Sequence, residues 1–586
     1  MPPMFNKIIL TIVLIAFVTL VAFSSMELLE DDHDENVLIP IFQTQSVSSE
    51  KFMISAANPV ATQAGYDVLK RGGTAVDAAV AVQLMLNLVE PQSSGIGGGA
   101  FMVYWDATSK TLTTFDGRER APLSATPQYW FGIDGKPVKW FDAVVGGKSV
   151  GVPGTLKLLE TVQQRFGNQN WAELLEPAKS LAETGFKISP RLAMLIADHQ
   201  GSRKLDIFGT ARTYFFDESG APRKAGEILK NPDFASALGL LQAEGSKPFY
   251  EGQIARDIIA AVKTVINPGV LTMEDMKSYQ VVERQPACAP YRQYDVCGMG
   301  PPSSGGLTVG QILSILSHYD LPEMESEIDR THLYIEASRL AFADRAQYMA
   351  DSDYTPMPQG LLDQTYLGQR AALIDPDETM GKAKAGSPPW ELAMLRSPDT
   401  QRERAGTSHF SIVDAKGNIV SMTTTIESGF GSRVMTNGFI LNNELTDFSR
   451  IPEKDAKPIA NRVEGGKRPR SSMAPTIVLK DGVPVLAIGS PGGSRIISFV
   501  AEAIIRILDQ EMDPQLALNL PHVVNRNGTT DIEQNPGNKE LISELEERGH
   551  EFRERAMVSG LHAIVISPNG LTGGADPRRE GVVMGE

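Results

Sequence analysis

The sequence predicts an α+β protein, helical in its first part and rich in strands in its last third. Three observations carry this reading. Runs with apolar residues at helical spacing, each closed by a breaker, fill the N-terminal part. Short β-prone runs joined by Asp, Asn and Gly turns follow residue 406. The 586 residues, 42% of them hydrophobic, supply a full core and show no internal repeat.

The elements follow in order. Lys7 precedes an unbroken apolar run from Ile8 to Phe23, and Ala22 and Ser24 offer small residues at cleavage-like spacing. Residues 1–25 therefore read as a signal peptide or signal anchor, so the protein is expected to be exported, periplasmic or extracellular, with or without an N-terminal membrane anchor. Residues 26–50 begin with the acidic tract Glu27–Glu35 and read as a solvated linker. Helices are expected at 59–70 and 74–89, closed by Gly72-Gly73 and by Glu90-Pro91. A strand follows at Phe101–Trp105. Further helices are expected at 154–166, 171–184, 254–266, 307–319, 331–349 and 496–509.

Cys288 and Cys297 flank a hairpin turning at Arg292-Gln293. A two-residue loop makes them a non-hydrogen-bonded pair, where side chains come closest. They read either as a disulfide, which suits an exported protein, or as two buried thiols.

The stretch Gly406-Thr-Ser-His-Phe-Ser-Ile-Val-Asp414 is the most informative. It reads as a half-buried strand entered from a mobile linker, about 375–404. A precursor cut at Gly406–Thr407 exposes a threonine whose own α-amine can activate its hydroxyl. Asp414–Asn418 is a turn and Ile419–Ile426 a second strand. Folding the two as a hairpin sets Thr407 opposite Thr425 or Ile426. The serine-rich loop Lys467–Thr476 precedes another strand. The turn Gly489-Ser-Pro-Gly-Gly-Ser-Arg495 opens a helix, where Gly492 and Gly493 let backbone N–H groups approach an oxygen. It lacks the Gly-Lys-Ser/Thr ending of a nucleotide-binding P-loop.

Together these motifs resemble the γ-glutamyltranspeptidases, N-terminal-nucleophile hydrolases also called glutathione hydrolases. The resemblance runs from about Lys51 to Pro577. Its other motifs are Gly72-Gly73 with Ala75–Ala79, Gly95–Gly99, Arg118-Glu119, Pro301–Gly306 and Leu441-Asn-Asn443. It implies a four-layer αββα sandwich built from two fragments of one precursor, a large subunit 51–406 and a small subunit 407–586. It implies a γ-glutamyl hydrolase/transferase acting through a γ-glutamyl-threonine ester, with glutathione and related compounds as donors and water, amino acids or peptides as acceptors. Thr407 is then the nucleophile, Thr425 its hydroxyl partner, and Gly492 and Gly493 the oxyanion hole. Arg118, Ser471 and Ser472 bind the α-carboxylate, and Glu444 and Asp447 the α-ammonium group. Two departures stand out. Glu427 occupies a position that is commonly asparagine near the amino-acid head, and the loop from Phe448 to Lys467 lacks the tyrosine of members with a lid. An acylase for glutaryl or cephalosporin side chains is the alternative on the same fold, and a non-catalytic secreted binding protein the alternative of another class.

A net charge of −16 argues against nucleic-acid or anionic-membrane partners. The eight histidines are scattered with no metal-ligand spacing, so neither a metal nor another cofactor is expected. His409 reads as an ordinary strand side chain. The Gly95-x-Gly97-x-x-Ala100 pattern follows a helix and precedes a strand, the reverse of a dinucleotide fingerprint.

Overall fold

The computed structural model describes residues 44–390, 395–401 and 403–586. The expected signal segment and its acidic tract lie outside these residues. Two seven-stranded sheets form the centre. One runs in the order Val47–Ser49, Gly570–Ala575, His562–Ser567, Val483–Gly489, Thr476–Lys480, Tyr294–Gly298 and Ala287–Tyr291. The other runs Val582–Gly585, Met53–Ala56, Thr407–Val413, Ile419–Thr425, Gly99–Asp106, Thr111–Gly117 and Val282–Arg284. Both draw strands from either side of Gly406, so neither half of the chain completes a sheet alone.

Alternation along each strand sorts side chains between two layers. In the second sheet Met53, Val103, Val413 and Ile419 meet Ile477, Ala487, Ile564 and Leu571 of the first. The opposite faces carry helices. Ile54, Met102, Phe410, Ile412 and Val420 pack with helices that include Pro59–Lys70, Ala75–Val89 and Trp171–Thr184. Val478, Leu486 and Ile488 pack with Gly305–Leu316, Glu327–Tyr348 and Ile496–Leu508. The layers are thus αββα.

Helix starts follow their caps. The Asn58 side chain accepts from Val60 N ahead of Pro59 at the first turn. Thr74 and Asp77 form a capping box, so the second helix begins at Ala75. The helix expected at 254–266 stops at Ala261. There Gly269 N donates to Val262 O at 2.7 Å, and the residue before Pro268 disfavours helical backbone. Helices at Pro190–Asp198 and Pro232–Glu244 were not anticipated, although Ser189-Pro190 and Asn231-Pro232 are N-cap and N1 pairs.

Two expectations need correction. The strand Thr407–Val413 is buried along its whole length, not half-buried. Its polar side chains are covered on both faces: Ser411 Oγ donates to His562 O of the other sheet at 3.1 Å, His409 Nδ1 lies 2.9 Å from Thr423 Oγ1 on the neighbouring strand, and Ser408 Oγ donates to Glu90 on the helical side at 2.9 Å. The described residues of the segment 375–404 are irregular but packed instead of free. Asp399 N donates to Ala346 O at 2.8 Å, and Ala383, Asp399 and Glu403 are buried. Cys288 and Cys297 are cross-strand partners joined by a disulfide.

Candidate active site

The hairpin register pairs Thr407 with Thr425, resolving the choice between Thr425 and Ile426. Both hydroxyls point into the space between the sheets. Thr407 Oγ1 donates to Thr425 Oγ1 at 3.2 Å. Thr425 Oγ1 donates to Gly406 O at 2.8 Å and accepts from Glu427 N at 2.8 Å. One chain of hydroxyls therefore links Thr407 to the carbonyl of its own preceding peptide bond. A side chain at 406 would bring Cβ within 2.1 Å of Glu427 O, so only glycine fits. Arg579 Nη1 donates to Thr407 O at 2.8 Å and fixes the strand end.

A pocket opens over this pair. Its lining includes Arg118, Glu403, Arg404, Thr407, Thr425, Glu427, Glu444, Asp447, Ser471, Ser472 and Gly493. Elements far apart in sequence meet here because the strand ends and the turns after them share one edge of the sandwich. Gly492 and Gly493 have φ of +138° and +59°, which favour glycine. The segment before Thr407 crosses this turn: Ser494 N donates to Glu403 O at 3.2 Å, and a Cβ on Gly493 would lie 2.5 Å from Arg404 O.

Charge is divided unevenly across the pocket. Arg118 faces Glu444 on one nitrogen and Asp447 on the other, the latter at 2.6 Å. Its remaining donors go to Pro469 O and Arg470 O. Glu119 stands 3.9 Å from the same guanidinium, and the Glu427 carboxylate accepts from the Asn443 side chain. Three buried carboxylates, Glu119, Glu444 and Asp447, thus share one arginine, and a fourth, Glu427, lies beside them. Burial pushes Glu427 up to about 8, with the Asp447 charge adding to it. Burial likewise lifts Glu119 to about 7 and Asp447 to about 6 against the pull of Arg118, and carries Glu444 well above the carboxylate range. Glu444 Oε2 is buried without a hydrogen-bond partner. Among the described residues lining this half, the carboxylates Glu427, Glu444 and Asp447 outnumber the guanidiniums Arg118 and Arg404.

The other half is built differently. Glu403 lies between Arg345, 2.5 Å, and Arg470, 3.2 Å, and accepts from Ser472 Oγ at 3.0 Å. Burial opposes its ionisation, but the two arginines hold it down at about 2.

A family model described as Gamma-glutamyltranspeptidase matches residues 61–586. The chain belongs to the γ-glutamyltranspeptidase family. A glutathione hydrolase proenzyme of Bacillus subtilis (strain 168) is 38% identical over 546 residues, 91% of this chain and 91% of the relative. The acylase ACY 1 proenzyme of Pseudomonas sp. (strain SE83) is 34% identical, covering 92% and 94%. Among solved structures, a cephalosporin acylase from Bacillus halodurans superposes with a TM-score of 0.82 at 26% identity, covering 95% of this chain and 99% of that one. The Helicobacter pylori γ-glutamyltranspeptidase gives 0.53 at 33% identity, covering 58% and 95%. The fold is the αββα sandwich of N-terminal-nucleophile hydrolases, as the family resemblance implied.

Every side chain assigned to the site from sequence lies at this one edge, but the contacts differ from the expected ones. Arg118 is engaged by carboxylates and carbonyls, Ser471 Oγ accepts from Met473 N, and Ser472 faces Glu403. His409 is neutral, its pKa pushed far down by burial and then by His562. Sequence reasoning passed over Arg345, Arg470, Arg579 and Glu403. Arg470 was the accessible one, since it directly precedes the serine pair. Glu403 looked like one more charge in a linker, and Arg345 and Arg579 sit far away in sequence.

Proposed function

We propose that the chain is an exported, self-processing γ-glutamyl hydrolase/transferase, and that Thr407 is its nucleophile. The observation that carries the reading is the carboxylate surplus beside Thr407. A γ-glutamyl donor brings an α-ammonium, a further cation for Glu444 and Asp447, which otherwise share Arg118, and for Glu427 beside them, and this head sets its γ-carbonyl towards the threonine.

Maturation comes first. Thr407 Oγ1 attacks the Gly406 carbonyl carbon while the Thr425 hydroxyl donates to the carbonyl oxygen, where negative charge develops. The Gly406–Thr407 C–N bond breaks as the nitrogen takes up a proton, and water hydrolyses the resulting ester. Gly406 becomes a carboxylate terminus and Thr407 a free amine, giving chains ending at 406 and starting at 407. That amine is the base for turnover. Thr407 Oγ1 attacks the γ-glutamyl amide, the amine takes the proton and passes it to the departing amine, and Gly492 and Gly493 hold the oxyanion. Water or an acceptor amine then cleaves the γ-glutamyl ester. The apolar segment 8–23 and the Cys288–Cys297 disulfide support export.

The test compares γ-glutamyl-p-nitroanilide with glutaryl-p-nitroanilide, which keeps the carboxylate but lacks the α-amino group. Preference for the γ-glutamyl compound is expected. Preference for the glutaryl amide overturns the reading and favours an acylase, with Glu427→Asn the first variant to make.

A further inference from the structure

The Glu403 carboxylate occupies a site that the roles above leave unused. Arg345 and Arg470 are both buried, with side-chain exposures of 4% and 1%. Arg345 Nε donates to Ser304 Oγ at 2.8 Å and its Nη2 to Ser472 Oγ at 2.7 Å, which aims the guanidinium at Glu403. Arg470 also meets Asp399 at 3.2 Å, and its Nη1 is buried with no hydrogen-bond partner. Both stand behind the wall of the pocket that holds Thr407: Glu403 and Ser472 line it, Arg345 contacts both, and Arg470 contacts Glu403.

Glu403 stands on the segment that cleavage releases. Upstream, Asp399 is tied down by Ala346 O and by Asn461 Nδ2, the latter at 3.0 Å. Between that anchor and Thr407, the segment rests on the turn at Gly493, and the Arg404 guanidinium lies 3.8 Å over the Trp140 ring. Once the bond at 406 is cut, residues 403–406 form a tail covalently attached at one end only, which lets Glu403 exchange with another carboxylate. Withdrawal of Glu403 leaves two buried guanidiniums facing Asp399 alone, and an unpaired buried charge is costly. Arg118 has no such vacancy, because Glu444 and Asp447 already share it.

We propose that Arg345, Arg470 and Ser472 form a carboxylate-binding subsite, filled before maturation by Glu403 as an internal stand-in and afterwards by a carboxylate of the substrate. The inference rests on the reading of Thr407 as the cleavage point. It divides the pocket into an anionic half that takes the donor's ammonium and a cationic half that takes a carboxylate. That carboxylate belongs to the acyl group or to the leaving group.

Two experiments decide. The first needs no turnover. In the uncleavable Thr407→Ala chain, thermal unfolding is followed as sodium acetate replaces sodium chloride at constant ionic strength. With Glu403→Ala added, acetate should raise Tm saturably. The parent should not respond, and Arg470→Leu on top should abolish the response. Should Glu403→Ala not fold, Glu403→Gln replaces it and should lower Tm, because the charge is lost but the shape kept. Absence of an acetate response, or an unchanged Tm in the Gln variant, overturns the subsite.

The second uses the processed enzyme. Arg470→Leu should raise KM at least about tenfold, the size of one charge-assisted hydrogen bond, with kcat nearly held. If KM rises for both γ-glutamyl-p-nitroanilide and γ-glutamyl-3-carboxy-4-nitroanilide, the carboxylate is on the acyl side. If it rises only for the second, the carboxylate is on the leaving group. Arg470→Lys should recover part of the loss. An unchanged KM for both substrates overturns the inference while leaving the γ-glutamyl reading intact. A wild type that turns over neither sinks that reading, and the acetate arm still decides the subsite.

Discussion

Replacing Thr425 by valine removes one hydroxyl and keeps the shape of the side chain. That hydroxyl makes three contacts: it donates to Gly406 O, and accepts from Thr407 Oγ1 and from Glu427 N. The first matters most for maturation, because the Gly406 carbonyl oxygen gains charge when Thr407 attacks. Loss of one preorganised oxyanion donor costs about 2.7–4 kcal/mol, a slowing of roughly 10²–10³. The buried Glu427 N–H also loses its acceptor, which costs about 1–3 kcal/mol of stability. Purified precursor is incubated and the appearance of the 407–586 chain is followed on denaturing gels, with Tm measured alongside. Thr425→Val should mature at least about a hundredfold more slowly and melt lower, whereas Thr425→Ser, which keeps the donor, should stay within about tenfold of wild type. Maturation of the valine variant within about threefold of wild type, under ~1 kcal/mol, refutes the role given to this hydroxyl.

Three further expectations follow from the same site. Thr407→Ala should remain a single inactive chain and Thr407→Ser should still be cut; N-terminal sequencing of the small fragment should begin at position 407. Raised carboxyl pKa values at Glu427, Glu119 and Asp447 mean that the folded precursor holds protons which the unfolded chain has released above about pH 4. Their contribution is therefore fully present below that pH and is lost as pH rises towards 8, while Glu403, held low, works in the opposite sense below about pH 4. The Tm of the Thr407→Ala chain should fall between about pH 5 and 8.5, and Glu427→Gln should flatten that fall; a Tm that rises across this window contradicts the cluster's raised pKa values. Asp447→Asn should reduce γ-glutamyl turnover more than glutaryl turnover, since only the first substrate carries an ammonium, and equal losses on the two amides would remove Asp447 from the ammonium site.

Local pattern was enough for much of this protein. The helices Pro59–Lys70 and Trp171–Thr184 stand at the bounds that periodicity and breakers gave them, because capping and amphipathic spacing are properties of neighbouring residues. The hairpin was readable to within one residue, since its turn is a short Asp-Ala-Lys-Gly-Asn run that fixes register. The Gly-Thr junction, the serine pair and the diglycine turn were each visible as motifs, and their order carried the family resemblance.

The tertiary structure decided the electrostatics. Whether a strand with polar alternation faces water or a second sheet depends on what covers it, and Thr407–Val413 is covered on both faces. Likewise, the sequence marked Arg118 as a carboxylate ligand, but its charge is already shared by Glu444 and Asp447 once the chain is folded. Glu403 is an unremarkable linker residue until packing sets it between Arg345 and Arg470, 58 and 67 residues away along the chain. Motifs reveal which groups are present. Which charges balance, and which are left wanting a partner, is a property of distances and burial that no linear spacing contains.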